Sequence, residues 1–227
     1  MASLQCSNLS LTYGTAGGKT KAVQSINYHF NSGIFYSIIG KSGAGKTSVL
    51  KLISGLTAPT EGNVMLDGTD IHRLPESEIA AMRRRRFGFV FQNYRLLPEL
   101  TIEENIMLPQ ILDKRDDQAW REQLMEKLGL ISIKDHLPYQ SSGGEQQRCA
   151  IARALINRPD FIFADEPTGN LDKRTSWDVL QLLLSMQKEN KVALILVTHD
   201  LEVARCADVL IHMEDGRFIQ ETEVLDP

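Results

Sequence analysis

The sequence predicts an α/β protein with a mostly parallel sheet, and three observations carry that prediction. Short apolar runs alternate with amphipathic stretches along most of the chain, the pattern of strands joined by crossover helices. One run, Ile34-Phe35-Tyr36-Ser37-Ile38-Ile39, leads directly into Gly40-Lys41-Ser42-Gly43-Ala44-Gly45-Lys46-Thr47, which fills every fixed position of the phosphate-loop pattern G-x-x-x-x-G-K-[ST]. The alternation breaks twice, towards antiparallel strands at the N-terminus and towards helix between residues 92 and 157.

Residues 4–13 and 22–30 alternate apolar and polar positions, so they read as antiparallel strands, with Gly14-Thr15-Ala16-Gly17-Gly18-Lys19 as a flexible loop between them. The run 34–39 is a buried strand, and Ser48-Val49-Leu50-Lys51-Leu52-Ile53 begins a helix. Residues 63–68 form a strand ending in a turn. Residues 75–86 read as a helix with Pro75 in its first turn, followed by the short strand Phe87-Gly88-Phe89-Val90-Phe91. Thr101-Ile102-Glu103-Glu104 has the form of a capping box opening a helix over 105–112. In residues 116–128, Trp120, Leu124 and Leu128 recur at helical spacing and read as core. Strand patterns return at 161–164, 192–197 and 209–212, and Glu214-Asp215-Gly216-Arg217 reads as a hairpin turn. There is no internal repeat, low-complexity tract or heptad pattern.

The fold class expected is therefore a phosphate-loop NTPase core with an N-terminal antiparallel β subdomain and an inserted α-helical subdomain. Residues 1–91 supply the antiparallel part and the first part of the nucleotide-binding core, 92–157 the helical subdomain, and 158–227 the rest of the core. A length of 227 residues fits one large domain or two intimate subdomains, and 42% hydrophobic content supports a sizeable core. The net charge of −4 argues against a nucleic-acid surface, so no nucleic-acid partner is expected. No apolar run approaches the roughly 20 residues that cross a bilayer. The N-terminus has neither a basic n-region nor a long apolar segment, so no signal peptide is expected. Cys6, Cys149 and Cys206 are odd in number and far apart, which fits reduced thiols filling core space.

The chemistry follows from residue types. Glycines let successive backbone N–H groups converge on one anion, and the helix N-terminus adds partial positive charge. Gly40 through Ser48 are thus the phosphate-binding candidates; Lys46 reaches the β- and γ-phosphates, and the Thr47 hydroxyl suits Mg²⁺. The apolar strand at 161–164 ends in Asp165 and Glu166. Asp165 fits the Walker-B carboxylate near Mg²⁺, and Glu166, at the C-terminal end of the strand, is placed to polarise a water. Ser142 caps a helix that starts with Gly143 and Gly144, a second anion site at a helix N-terminus.

That ordered set resembles the ATPase subunit of ATP-binding-cassette transporters over nearly the whole chain. Ser142-Gly143-Gly144-Glu145 is similar to the family signature, Gln92 to its Q-loop glutamine, Gly169-Asn170-Leu171-Asp172 to its D-loop, and His199 to its switch histidine. Tyr13 sits where the family has an aromatic that stacks on adenine, worth about 1–3 kcal/mol by analogy with base stacking elsewhere. Two positions depart from the usual pattern: Ser141 replaces a leucine before the signature, and Gly169-Asn170 replaces Ser-Ala. The run from Ala164 to Asp172, together with Phe87 to Gln92 and the long first loop, resembles the branch of lipoprotein-release, macrolide-export and bacitracin-resistance systems.

The resemblance implies a homodimer that sandwiches two ATP molecules, with the Lys46 loop of one copy facing the Ser142–Glu145 segment of the other. In it Thr47, Gln92 and Asp165 hold Mg²⁺, Lys46 and His199 contact the γ-phosphate, and Glu166 orients water, with Asp172 also at the nucleotide. The partner implied is an integral membrane permease subunit, which places the chain on the cytoplasmic face of the cell membrane. The cargo class implied is a peptide, lipid-linked or antimicrobial compound that is exported or extracted. A regulatory or sensing ATPase that moves a membrane partner without transport has the same motor, and a soluble cassette acting on DNA or ribosomes is the third alternative. Arg83-Arg84-Arg85-Arg86 reads as a solvated helix face. His29, His72, His136 and His212 lack ligand spacing and read as structural. The apolar Leu96-Leu97-Pro98-Glu99-Leu100 within 93–109 either packs between subdomains or lines a groove for a membrane-subunit helix.

Overall fold

The computed structural model describes residues 2–15 and 18–223, and two sheets organise them. The first is antiparallel. It contains β1 (Ser3–Thr15), β2 (Gly18–Asn31), β4 (Glu61–Leu66) and β5 (Thr69–Asp70), in the order β2-β1-β4-β5. The second has six strands in the order β10-β9-β3-β8-β7-β6: β3 (Phe35–Ile39), β6 (Phe87–Phe91), β7 (Phe161–Asp165), β8 (Ala193–Thr198), β9 (Val209–Glu214) and β10 (Arg217–Glu223). Its strands run parallel except for the β9–β10 hairpin. The expected α/β architecture with an antiparallel N-terminal part is what forms.

The central strands β3, β7 and β8 of the large sheet are buried on both faces, as crossover topology requires. Side chains alternate between two cores: Phe161 and Phe163 of β7 and Ile195 and Val197 of β8 face the antiparallel sheet, together with Val49 and Leu50 of α1 (Lys46–Ile53). Ile162, Ala164, Leu194 and Leu196 face the opposite way, against the helical layer. That layer holds α3 (Ile102–Leu112), α4 (Gln118–Lys127), α5 (Gly143–Leu155) and α6 (Lys173–Asn190). Helix α2 (Glu76–Arg86) precedes β6, and α7 (Leu201–Ala204) follows β8.

Local chemistry sets the helix ends. At α3 the Thr101 hydroxyl accepts the Glu104 N–H at 3.2 Å and the Glu104 carboxylate accepts the Thr101 N–H at 2.8 Å. The box is the expected one, but α3 begins at Ile102, immediately after its cap, rather than at 105. Pro75 stands just before α2 with an extended ψ of 149°, so it caps the helix instead of entering its first turn. Trp120, Leu124 and Leu128 are buried in the helical core.

Two expectations need correction. The loop expected over 14–19 is largely strand: Gly14 pairs with Lys19 and Thr15 with Gly18, because ladder hydrogen bonds continue to the hairpin tip. Ala16 and Gly17 lie outside the described residues. The arginine run is also not a free solvated face. Arg83 donates to the Gly55 carbonyl at 2.7 Å and pairs with Glu76 at 2.9 Å. Arg85 reaches the buried Asp113 carboxylate at 2.7 Å, Arg84 lies 3.9 Å from it, and Arg86 joins Asp67 (2.6 Å) and Asp160. Arg84 and Arg85 share Asp113, while Arg83 and Arg86 reach other parts of the chain, because partners distant in the sequence converge there.

All three cysteines are free thiols; burial pushes Cys6 and Cys149 up to about 12, which keeps them unreactive. His72 is structural, its ring Nε2 lying 3.0 Å from the Leu52 carbonyl. No helix among the described residues is long and apolar enough to cross a membrane.

Candidate functional site: a phosphate cradle with a carboxylate–histidine pair

The phosphate loop joins β3 to α1 and is shaped by glycine. Gly43 and Gly45 have φ of 81° and 103°, a region closed to most side chains. A Cβ on Gly45 would strike the Ala22 carbonyl, and one on Gly40 would strike the Met213 carbonyl. The loop therefore fits tightly between β2 and the β9–β10 hairpin. Gly216 fixes it from that hairpin: its N–H donates to the Ala44 carbonyl at 3.0 Å and its carbonyl accepts the Gln24 N–H at 2.8 Å. The Lys46 ammonium folds over the loop and donates to the Gly40 and Lys41 carbonyls at 2.7 and 3.1 Å.

The Thr47 hydroxyl donates to Asp165 Oδ1 at 3.0 Å, so the start of α1 and the end of β7 meet. Burial pushes the Asp165 carboxyl above the usual carboxylate range. The Thr47 hydroxyl offsets part of that rise and the neighbouring Glu166 charge adds to it. Two hard oxygen donors, one a half-buried carboxylate that makes no direct ion pair among the described residues, suit a hard divalent cation such as Mg²⁺. Glu166 has a left-handed φ of 47°, and its N–H donates to the Val197 carbonyl at 2.9 Å. This bend ends β7 and turns the carboxylate to His199, whose Nδ1 lies 3.0 Å from Glu166 Oε1.

A cleft of about 580 Å³ unites these groups. It is bordered by Ser42, Gly43, Gly45, Lys46, Thr47, Ser48, Glu166 and His199. Tyr13 stands at the α1 end, its hydroxyl 3.5 Å from Ser48 Oγ. Thr20, Lys21 and Ala22 also line the cleft, and sequence reasoning missed them. Their signal is the cross-strand register, Tyr13 opposite Thr20, which needs the correct strand ends to find.

Other expected residues lie elsewhere. Gln92 does not border this cleft; its amide donates to Asn170 Oδ1 at 3.2 Å. Ser142, Gly143, Gly144 and Glu145 open α5. The Ser142 hydroxyl accepts the Glu145 N–H at 3.3 Å, and the Glu145 carboxylate accepts the Ser142 N–H at 2.7 Å. The Ser142 backbone and hydroxyl hold the Glu145 carboxyl below its usual range. Gly144 is buried and Gly143 half-buried, a Cβ on Gly143 standing 3.2 Å from Leu171. Asp172 caps α6, accepting the Arg174 and Thr175 N–H groups at 3.1 Å, and does not border the cleft either. Of the apolar segment, Leu96 packs into the helical core.

Residues 23–169 match the family model described as ABC transporter. The chain belongs to the ABC transporter family. It is 42% identical to a macrolide export ATP-binding/permease protein, MacB, of Rhodopirellula baltica, over 96% of this chain and 33% of that protein. It is 39% identical to the lipoprotein-releasing system ATP-binding protein LolD of Xanthomonas campestris, over 95% of this chain and 91% of LolD. Among solved structures, a dimeric post-hydrolysis state of the ATP-binding cassette MJ0796 bound to ADP and Pi aligns with a TM-score of 0.89 at 36% identity, covering 98% of this chain and 99% of that one. The fold is thus that of a phosphate-loop ATPase cassette, and the chain is an ABC-type ATPase of the transporter kind. The relatives fall in the branch that the Ala164–Asp172 run resembles.

Proposed function

We propose that this ATPase drives an integral membrane permease that exports or extracts a peptide, lipid-linked or antimicrobial compound. It works as a homodimer with ATP at the interface, held at the cytoplasmic face of the membrane through that partner. The observation that carries the catalytic reading is the Glu166–His199 pair at 3.0 Å, bordering the same cleft as the phosphate loop.

The residues divide the work. The N–H groups of Gly40–Ser48 and the Lys46 ammonium hold the phosphates, and Lys46 exchanges its two loop carbonyls for phosphate oxygens. Tyr13 supplies a face for the base. Thr47 and Asp165 hold Mg²⁺, and Gln92 joins them once released from Asn170. When bound, Mg²⁺ neutralises charge on the phosphate oxygens. Glu166 orients and deprotonates the attacking water, while His199 fixes that carboxylate and reaches the γ-phosphate. Ser142–Glu145 and Asp172 lie away from this cleft, as expected of residues that complete the site of a second copy; residues 92–157 form the arm that carries the signature to it.

Glu166→Gln tests the reading. The expected result is ATP binding retained with turnover reduced by about 10²-fold or more, and a stable dimer in MgATP on size-exclusion chromatography. Near wild-type turnover with ATP bound would remove Glu166 from the role. Co-purification of the same variant from detergent-solubilised membranes identifies the partner. Recovery with DNA or ribosomes alone would favour the soluble alternative.

A further inference from the structure

The chain bends sharply after β6, between Phe91 and Arg95. The Tyr94 N–H donates to the Phe91 carbonyl at 3.1 Å, and the Arg95 N–H turns back to the Asn93 carbonyl. Tyr94 and Arg95 both have left-handed backbone, with φ of 51° and 50°. Neither is glycine, and two bulky residues in succession keep that conformation only where the surroundings over-determine it. The Arg95 guanidinium lies over the Phe91 ring at 4.1 Å, which folds the segment onto itself.

Arg153, in the last turn of α5, holds the bend from outside. Its guanidinium donates from Nη2 to the Tyr94 carbonyl and from Nη1 to the Arg95 carbonyl, at 2.6 Å each. One planar fork thus takes both carbonyls of the left-handed pair. Arg153 makes no ion pair among the described residues. The start of α5 meets the same bend, since a Cβ on Gly143 would stand 2.9 Å from the Tyr94 hydroxyl. One helix therefore grips the bend from its first turn and from its last.

Gln92 lies within this bend. Its amide rests on Asn170 Oδ1 at 3.2 Å and has to swing to reach the Thr47–Asp165 pair. A swinging side chain delivers its amide to one point only if the backbone that carries it is fixed, and fixing it beforehand lowers the ordering cost of the contact. We propose that Arg153 is a positioning residue for Gln92: its fork fixes the bend from which Gln92 swings between Asn170 and Mg²⁺. This rests on the reading that Gln92 joins Thr47 and Asp165 at the metal. Arg153 does not border the phosphate cleft, so it acts through the Tyr94 and Arg95 backbone.

The test uses the full-length chain and two readouts. In the protein without nucleotide or metal, Arg153→Gln is expected to speed hydrogen exchange at the Tyr94 and Arg95 amides about fivefold, with exchange in the phosphate loop unchanged. In a Mg²⁺ titration of the ATPase at saturating ATP, Arg153→Gln is expected to raise the concentration for half-maximal activity about fivefold. Gln92→Ala raises it too, and Arg153→Gln then adds nothing in the Gln92→Ala background, because the two act as one unit. Arg153→Lys, which keeps the charge and a donor, falls between wild type and Arg153→Gln. ATP affinity in EDTA stays at the wild-type value, since other residues build the cradle.

A role in packing alone gives a different pattern, a lower melting temperature with the Mg²⁺ requirement unmoved. That pattern, unchanged exchange at Tyr94 and Arg95, or full additivity of Arg153→Gln with Gln92→Ala would overturn the proposal. If Arg153→Gln does not fold, Arg153→Lys in the two backgrounds carries the same test. If Gln92→Ala leaves the Mg²⁺ requirement unchanged, the reading of Gln92 as a metal ligand fails. If Gln92→Ala raises it and Arg153→Gln does not, only the positioning role of Arg153 fails.

Discussion

The Gln92 amide donates to Asn170 Oδ1 at 3.2 Å, and the Asn170 amide returns to the Gln92 carbonyl at 3.0 Å and to Asn93 Oδ1 at 2.8 Å. The segments around Gln92 and Asn170 are therefore clasped together within the chain. Gly169 permits the clasp, since a Cβ there would stand 2.8 Å from Gln92 Nε2. Gly-Asn in place of the commoner Ser-Ala thus has a physical meaning: alanine has no amide to hold Gln92, and serine would crowd it.

In the proposed mechanism, loosening the clasp should make Gln92 available to Mg²⁺. A net hydrogen bond is worth about 1 kcal/mol, so Asn170→Ala is expected to lower the Mg²⁺ concentration for half-maximal ATPase about fivefold. A Mg²⁺ titration at saturating ATP checks this. An unchanged requirement would mean that Gln92 does not reach the metal.

In the proposed mechanism His199 acts on the Glu166 carboxylate it touches. His199→Ala is expected to lower kcat by about 10²-fold or more while KM for ATP shifts only slightly, because the phosphate cradle is built by other residues. Steady-state kinetics separates the two. A rise in KM with kcat preserved would make His199 a binding residue alone.

Asp113 is a structural hub rather than a catalytic group. Its side chain is 1% exposed and accepts Arg85 at 2.7 Å and Arg115 at 3.0 Å. Asp113→Asn keeps the shape but removes the charge, with an expected loss of about 1.5–3 kcal/mol in urea unfolding. Glu76→Gln, at an exposed ion pair, should cost less than about 1 kcal/mol.

Acid stability should report Asp67. Burial alone would raise its carboxyl, but the Arg86 guanidinium and the Ser3 N–H at 2.8 Å outweigh burial and hold it below the usual range. A folded value below the unfolded one stabilises above the unfolded pKa of about 3.9, and that contribution disappears as pH falls through the folded value. Asp67→Asn is therefore expected to be less stable than wild type at neutral pH, by up to about 1 kcal/mol for this partly exposed pair. The difference should close on acidification below the folded pKa. Urea midpoints across that range test the sign.

Gly88 marks a close approach of β6 to α5, where a Cβ would collide with the Ala154 carbonyl. Gly88→Ala is expected to cost about 1–3 kcal/mol through overpacking. A melting temperature equal to wild type would show that the helix shifts freely.

Much of this was legible in the sequence for reasons that can be stated. The strands β3, β7 and β8 are apolar on both faces, so their continuous runs stand out. The phosphate loop, Asp165, Glu166 and His199 lie at strand ends and carry local signals. Helix α6 was also readable in principle, from the helical spacing of Val179, Leu183 and Met186, but its polar opening turn masks it. What stayed hidden depends on partners distant in the chain. Arg86 meets Asp67 and Asp160, and Gln92 meets Asn170, across separations that no periodicity encodes. Thr20, Lys21 and Ala22 enter the cleft only through strand register.

Lys46 holds its own loop closed, bonded to the Gly40 and Lys41 carbonyls. A cradle whose ammonium is already satisfied needs no ligand to keep its shape. Nucleotide capture is then an exchange of one set of oxygens for another, not a folding event. In the proposed dimer, the energy of gripping ATP is then left for drawing two copies together.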